Sequence, residues 1–119
     1  MELSKIKLKR ILNNRIEYYN ENGYLHREDG PAIEYNDGRK LYYINGKRHR
    51  TDGPACEYIN NRCWFINGKK HREDGPAVEY NDGQKLWFLN NKYYSTEKEW
   101  FNGLIKIKLK RLVEYSENL

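Results

Sequence analysis

The sequence predicts a mainly β, single-domain protein: an antiparallel β-meander of repeated hairpins, with a C-terminal helix and a short N-terminal capping element. Three observations carry that prediction. A near-identical segment recurs at His26–Ala32, His49–Ala55 and His71–Ala77, and a period of 22–23 residues marks a repeat array. Asn45-Gly46 and Asn67-Gly68 sit between aromatic-rich runs, the strongest short-range hairpin signal. Thr96 and Glu99 match a capping box just before Trp100, Phe101, Leu104 and Ile105, which share a helical face.

The chain divides into an N-terminal cap over 1–14, the array over 15–94 and a C-terminal cap over 95–119. Within the array, Asn36-Asp-Gly38 and Asn81-Asp-Gly83 suit three-residue loops. That register sets Glu34 opposite Lys40 and Ile33 opposite Leu41, then Glu79 opposite Lys85 and Val78 opposite Leu86. Opposite charges and apolar pairs land together, as cross-strand energetics prefer. The middle copy is one residue shorter, and a Tyr58–Asn61 loop keeps Glu57 opposite Arg62 and Cys56 opposite Cys63. Two-residue Asn-Gly loops set Tyr42 opposite His49 and Trp64 opposite His71. An Asn90-Asn91 loop sets Trp87 opposite Tyr94, and a Glu21–Gly23 loop sets Tyr18 opposite His26. Every histidine thus meets a ring, which reads as aromatic stacking along a ladder of about seven to nine strands. Asp29-Gly-Pro31 and its copies read as turns linking the hairpins. The C-terminal helix begins near Glu97, and Gly103 weakens it. The hexapeptide Lys-Ile-Lys-Leu-Lys-Arg occurs at 5–10 and again at 106–111, and its alternation leaves the N-terminal copy open between helix and strand.

Composition excludes several classes. The 119 residues are 38% hydrophobic with a mean hydropathy of −1.10, so the core is thin. Yet 14% are aromatic, including eleven tyrosines, which excludes a disordered chain. No apolar run is long enough to span a membrane. Met1–Leu12 is basic but lacks the apolar stretch of a secretory signal, so a cytoplasmic setting is expected.

No catalytic or metal site is expected. Residues one repeat apart lie several strands apart, so His26, His49 and His71 cannot converge on one ion. The recurring Glu28-Asp29, Asp52 and Glu73-Asp74, with Arg27, Arg50 and Arg72, read as turn chemistry and local ion pairs. Cys56 and Cys63 stand where other copies have Ile, Val or Leu and read as small core residues; facing each other, they make a disulfide conceivable, against the expected compartment. No nucleophile motif, phosphate-cradling loop or cofactor fingerprint is present, so the chain reads as non-enzymatic and without cofactor.

The excess of 22 Lys and Arg over 17 Asp and Glu concentrates in the ends. Lys5, Lys7, Lys9 and Arg10, with Lys106, Lys108, Lys110 and Arg111, form the candidate partner-binding set, and Trp100 is its aromatic anchor. The partner class is anionic: a protein, a protein–nucleic-acid complex, or nucleic acid directly, with rings available to stack bases. Open sheet edges also allow a homodimer or larger assembly.

The repeat pattern, aromatic-aromatic-x-Asn-Gly-Lys-x-His-Arg-Glu-Asp-Gly-Pro-Ala-x-Glu-Tyr, resembles the MORN-like repeats of giant-virus and bacteriophage proteins over about two-thirds of the chain. The resemblance implies a hairpin meander with a C-terminal helix. It also implies a small viral or phage protein in the host cytoplasm. On this implication the interaction module is an inhibitor of a host enzyme or defence complex, acting by steric occlusion.

Overall fold

The computed structural model describes residues 6–119, with side chains from Leu8 onward. Among the described residues, thirteen strands precede one helix. They are β1 (Ile6–Ile11), β2 (Arg15–Asn20), β3 (Ile33–Tyr35), β4 (Lys40–Leu41), β5 (Tyr43–Ile44), β6 (Lys47–Arg48) and β7 (Cys56–Glu57). Then follow β8 (Asn61–Cys63), β9 (Phe65–Ile66), β10 (Lys69–Lys70), β11 (Val78–Tyr80), β12 (Lys85–Leu89), β13 (Lys92–Tyr94) and α1 (Glu97–Glu117). Nine strands form one antiparallel sheet in the order β1-β2-β3-β4-β7-β8-β11-β12-β13, while β5–β6 and β9–β10 are separate hairpins. The molecule is a slab of 45 × 44 × 17 Å, and its radius of gyration of 16.7 Å exceeds the roughly 13–14 Å of a rounder domain of this length.

The side hairpins are a departure from the seven-to-nine-strand ladder. Lys40–Ile44 reads as one run, but the structure divides it at Tyr42. There the Tyr42 N–H donates to Ala55 O at 2.7 Å and its carbonyl accepts the His49 N–H. Trp64 is held likewise between Ala77 and His71. The chain beyond each ring leaves the main sheet to make its own hairpin.

The expected register is present throughout. Ile33 pairs Leu41, Glu34 pairs Lys40, Val78 pairs Leu86 and Glu79 pairs Lys85. Cys56 faces Cys63 and Glu57 faces Arg62. Asn45, Asn67 and Asn90 all adopt φ near +50°, followed by Gly46, Gly68 and Asn91, also at positive φ. Both central residues in the left-handed region make the turn that matches strand twist, and asparagine tolerates that region best after glycine. The N-terminal element is a strand. Ile-Lys-Leu-Lys-Arg is thus strand at 6–10, paired with β2, and helix at 107–111. Local propensity does not decide between them; the capped helix upstream does in one case and the open edge of β2 in the other.

The recurring connections carry the expected local ion pairs, drawn together into clasps. Arg27 lays its guanidinium on the Tyr18 ring at 4.1 Å, Arg50 on Tyr42 at 4.0 Å and Arg72 on Trp64 at 3.8 Å. Each also donates to the Asp two residues on, to the Pro carbonyl four on and to the Glu seven on, as Arg50 does to Asp52, Pro54 and Glu57. The glycine inside the clasp makes room for it: a Cβ on Gly75 would lie 2.8 Å from Arg72 Cζ. The ring partner is therefore arginine, not histidine as the pairing suggests. Each imidazole instead links consecutive repeats, because Nδ1 of His26, His49 and His71 accepts the backbone N–H of Asn45, Asn67 and Asn90. Ala32, Ala55 and Ala77, fully buried, close each unit. The core is split in two: Ile33, Leu41, Cys56 and Phe65 in the array, and Leu89, Trp100 and Leu104 beneath the helix.

Candidate interaction surface

α1 begins where the capping box places it. Thr96 Oγ1 accepts the Glu99 N–H at 3.1 Å, while the Glu99 carboxylate takes the Ser95 hydroxyl rather than closing the box. One face of the helix is anchored. Trp100 and Leu104 are buried against Leu89, with Trp87, Tyr94 and Ile107 packed around them. The Trp100 indole lies 4.8 Å from that of Trp87 and donates Nε1–H to the Arg72 carbonyl. Gly103 meets Tyr94: a Cβ there would lie 2.7 Å from the phenol oxygen, so the residue that weakens the helix is the one that lets it seat.

The structure therefore corrects one candidate. Trp100 is 5% exposed and belongs to the core, so it is not a partner anchor. Arg111 is half committed: its guanidinium makes a bidentate pair with Glu73 at 2.8 and 2.5 Å. Glu73 also sits 2.6 Å from His71 Nε2. Since Nδ1 of that ring accepts from Asn90, the proton is on Nε2 and the ring donates to the carboxylate. The Arg111 hydrogen bond, helped by His71, holds the Glu73 carboxyl at about 2 against the opposing effect of burial. A carboxyl with a folded value below its unfolded one stabilises above about 4.5, and that contribution disappears as pH falls toward about 2. Arg111→Ala is expected to flatten this part of the acid-stability profile, read by denaturant midpoints between pH 6 and pH 2. The stability at neutral pH then changes by no more than about 1 kcal/mol, because the pair is largely solvent-screened. An unchanged acid slope contradicts the assignment.

The basic ends are not brought together. β1 is one edge of the nine-stranded sheet and α1 packs on β12 and β13 at the other. Eight strand spacings put them about 38 Å apart. On β1, Lys9 lies over the Tyr18 ring and Arg10 pairs Glu17 at 3.7 Å. Lys5 and the Lys7 side chain lie outside the described residues. On α1, Lys106, Lys108 and Lys110 are exposed and form no ion pair among the described residues. Beside them runs an uncovered apolar stripe of Phe101, Ile105, Leu109 and Leu112, each at least 40% exposed.

Sequence reading missed a second feature. Successive clasps wall off clefts whose floors are equivalent in the repeat. One, of about 590 Å³, lies over Tyr42 and Ile44 between the connections Arg27–Gly30 and His49–Asp52. The next, of about 720 Å³, lies over Trp64 and Ile66 between Arg50–Gly53 and His71–Asp74, and adds Lys108 and Arg111 from α1. The third floor, Trp87 and Leu89, is covered by Trp100 and Leu104. The signal was the recurrence Tyr42/Trp64/Trp87 with Ile44/Ile66/Leu89, read only as hairpin packing. The two free cysteines offer no nucleophile: Cys56 is fully buried, and burial next to Cys56 pushes the Cys63 thiol up to about 11.

No family model matches the chain, and no curated protein or solved structure is similar to it. No described helix is long and apolar enough to cross a membrane.

Proposed function

We propose that the protein is a non-enzymatic interaction module of the host cytoplasm that occludes a host macromolecule; its concrete form is a small viral or phage inhibitor of a host enzyme or defence complex. The observation that carries this reading is the outer surface of α1. A helix that leaves Phe101, Ile105, Leu109 and Leu112 in solvent beside Lys106, Lys108 and Lys110 has an apolar stripe left uncovered among the described residues and a charge complement for an acidic partner. The chemistry that recurs in the sequence is consumed by architecture: each His, Arg, Asp and Glu of the motif has a partner within the repeat array.

The test is capture from host lysate, with and without nuclease, on wild type and on Lys106→Glu/Lys108→Glu/Lys110→Glu. A stoichiometric protein that survives nuclease and is lost with the variant is the expected result. Nuclease-sensitive material alone, with affinity falling steeply in salt, replaces this reading with direct nucleic-acid binding. An empty capture with a stable dimer in solution replaces it with self-assembly through a sheet edge.

A further inference from the structure

The geometry points to the cleft over Trp64 and Ile66 as a docking groove for an acidic amphipathic helix of the partner. This deepens the interaction-module reading and rests on it. The protein carries its own template. In the third repeat the equivalent floor, Trp87 and Leu89, is covered by a helix that sets Trp100, Leu104 and Ile107 into it at positions i, i+4 and i+7. The same wall supplies a hydrogen bond, from the Trp100 indole to the Arg72 carbonyl. In the second repeat the floor keeps a tryptophan and an aliphatic residue; the Arg72 guanidinium lies on the Trp64 ring, and no helix covers the cleft. The Arg50 carbonyl, counterpart of Arg72, accepts no hydrogen bond among the described residues.

Spacing and surface agree with a helix at that place. The repeats advance by two strands, about 9.6 Å, and helices close-pack at about 8–10 Å. A helix seated over Trp64 and Ile66 therefore lies against α1. α1 offers it an apolar side. The helical period puts Phe101, Ile105 and Leu112 on the flank of Lys108, which lines this cleft, and away from Gly103, which abuts Tyr94. From α1, Lys108 and Arg111 line the cleft itself, and the uncovered stripe adjoins it on the outer side of Lys108, where an incoming helix would meet it.

The charge selects the partner's sign. The first and third connections carry Glu28 and Glu73, and the second carries Thr51. Asp52 and Asp74 are held by Arg50 and Arg72, and Glu73 by Arg111. Lys108 is left facing the cleft with no ion pair among the described residues. An incoming helix meets an uncompensated cation where the middle repeat has dropped its carboxylate, so acidic residues flanking its apolar face are favoured.

The probe is a peptide of the α1 sequence, residues 97–117, carrying Lys106→Glu, Lys108→Glu, Lys110→Glu and Arg111→Glu, added to the full-length protein. Binding is read by fluorescence anisotropy and by NMR shifts of the Trp64 indole and Ile66 methyl groups. The expected result is saturable binding that moves Trp64 and Ile66, weakened at least tenfold by Ile66→Lys and by Lys108→Glu. Thr51→Trp fills the cleft from an exposed position, so it gives the same loss in a variant whose core is untouched. Absence of binding, equal binding to all three variants, or shifts at Trp87 and Trp100 instead overturns the groove. Should the lysate partner be retained by Ile66→Lys and Thr51→Trp but lost with the lysine-to-glutamate variant, the groove falls and the interaction reading stands.

Discussion

Trp100→Ala is expected to lower unfolding free energy by about 3–5 kcal/mol, the range for deleting a buried tryptophan. Three losses combine. The side chain is 5% exposed and fills the space over Leu89, so truncation leaves a cavity in a cluster with only three buried members. The indole contact with Trp87 at 4.8 Å disappears. The Arg72 carbonyl loses its donor. For a domain of ordinary stability that is a large fraction of the total. The loss should also be uneven, since in a repeat array each unit is supported by its neighbours alone. Hydrogen exchange is the discriminating measurement. Amides of α1 and β13 should lose protection first, while those of β2, β3 and β4 retain it under native conditions. A variant that loses protection uniformly, or whose α1 remains as protected as in wild type, contradicts the description of α1 as a helix held by this one cluster.

The same local logic explains what was legible in the sequence and what was not. Hairpin register was legible because each pairing is fixed within a few residues of its own turn: Asn36-Asp-Gly38 alone determines that Ile33 meets Leu41. The helix start was legible because Thr96 and Glu99 lie three residues apart. The histidine role was not. Pairing places His71 opposite Trp64, but the imidazole acts one repeat forward, on Asn90, and no intrarepeat pattern reports a contact to the next unit. The ring partner is the adjacent arginine because guanidinium presents a flat face together with donors for Asp, Glu and the Pro carbonyl. Within the candidate set, Trp100 looked like an anchor because amphipathic spacing identifies a buried face without saying whether this chain or another buries it. The basic hexapeptides looked like one site because their charges match; their separation follows from strand order, which emerges only when the repeats are laid side by side. The clefts were invisible for a related reason: they lie between repeats.

Arg50→Lys is the second large effect, and it is not conservative here. Arg50 belongs to the middle repeat, with β3 and β4 on one side and β11 and β12 on the other. Its Nε donates to Asp52, its Nη1 to both Pro54 O and Glu57, and its plane covers Tyr42 at 4.0 Å. Lysine has a single point of charge and no planar fork. It can keep one of the carboxylates, and then it abandons the ring and the Pro54 carbonyl. An unsatisfied carbonyl costs about 1–3 kcal/mol and the lost cation–ring contact about 0.5–1 kcal/mol. The expected destabilisation is therefore about 2–4 kcal/mol by denaturant titration. Asp52→Asn is the control. The Asp52 carboxylate is 83% exposed, so its pair with Arg50 is screened and its removal should cost less than about 1 kcal/mol. If Asp52→Asn destabilises as much as Arg50→Lys, the clasp is an ion pair and nothing more. If Arg50→Lys is neutral, the stacked guanidinium does not hold the array together, and the repeated His-Arg-x-Asp-Gly-Pro-Ala motif needs another physical reason.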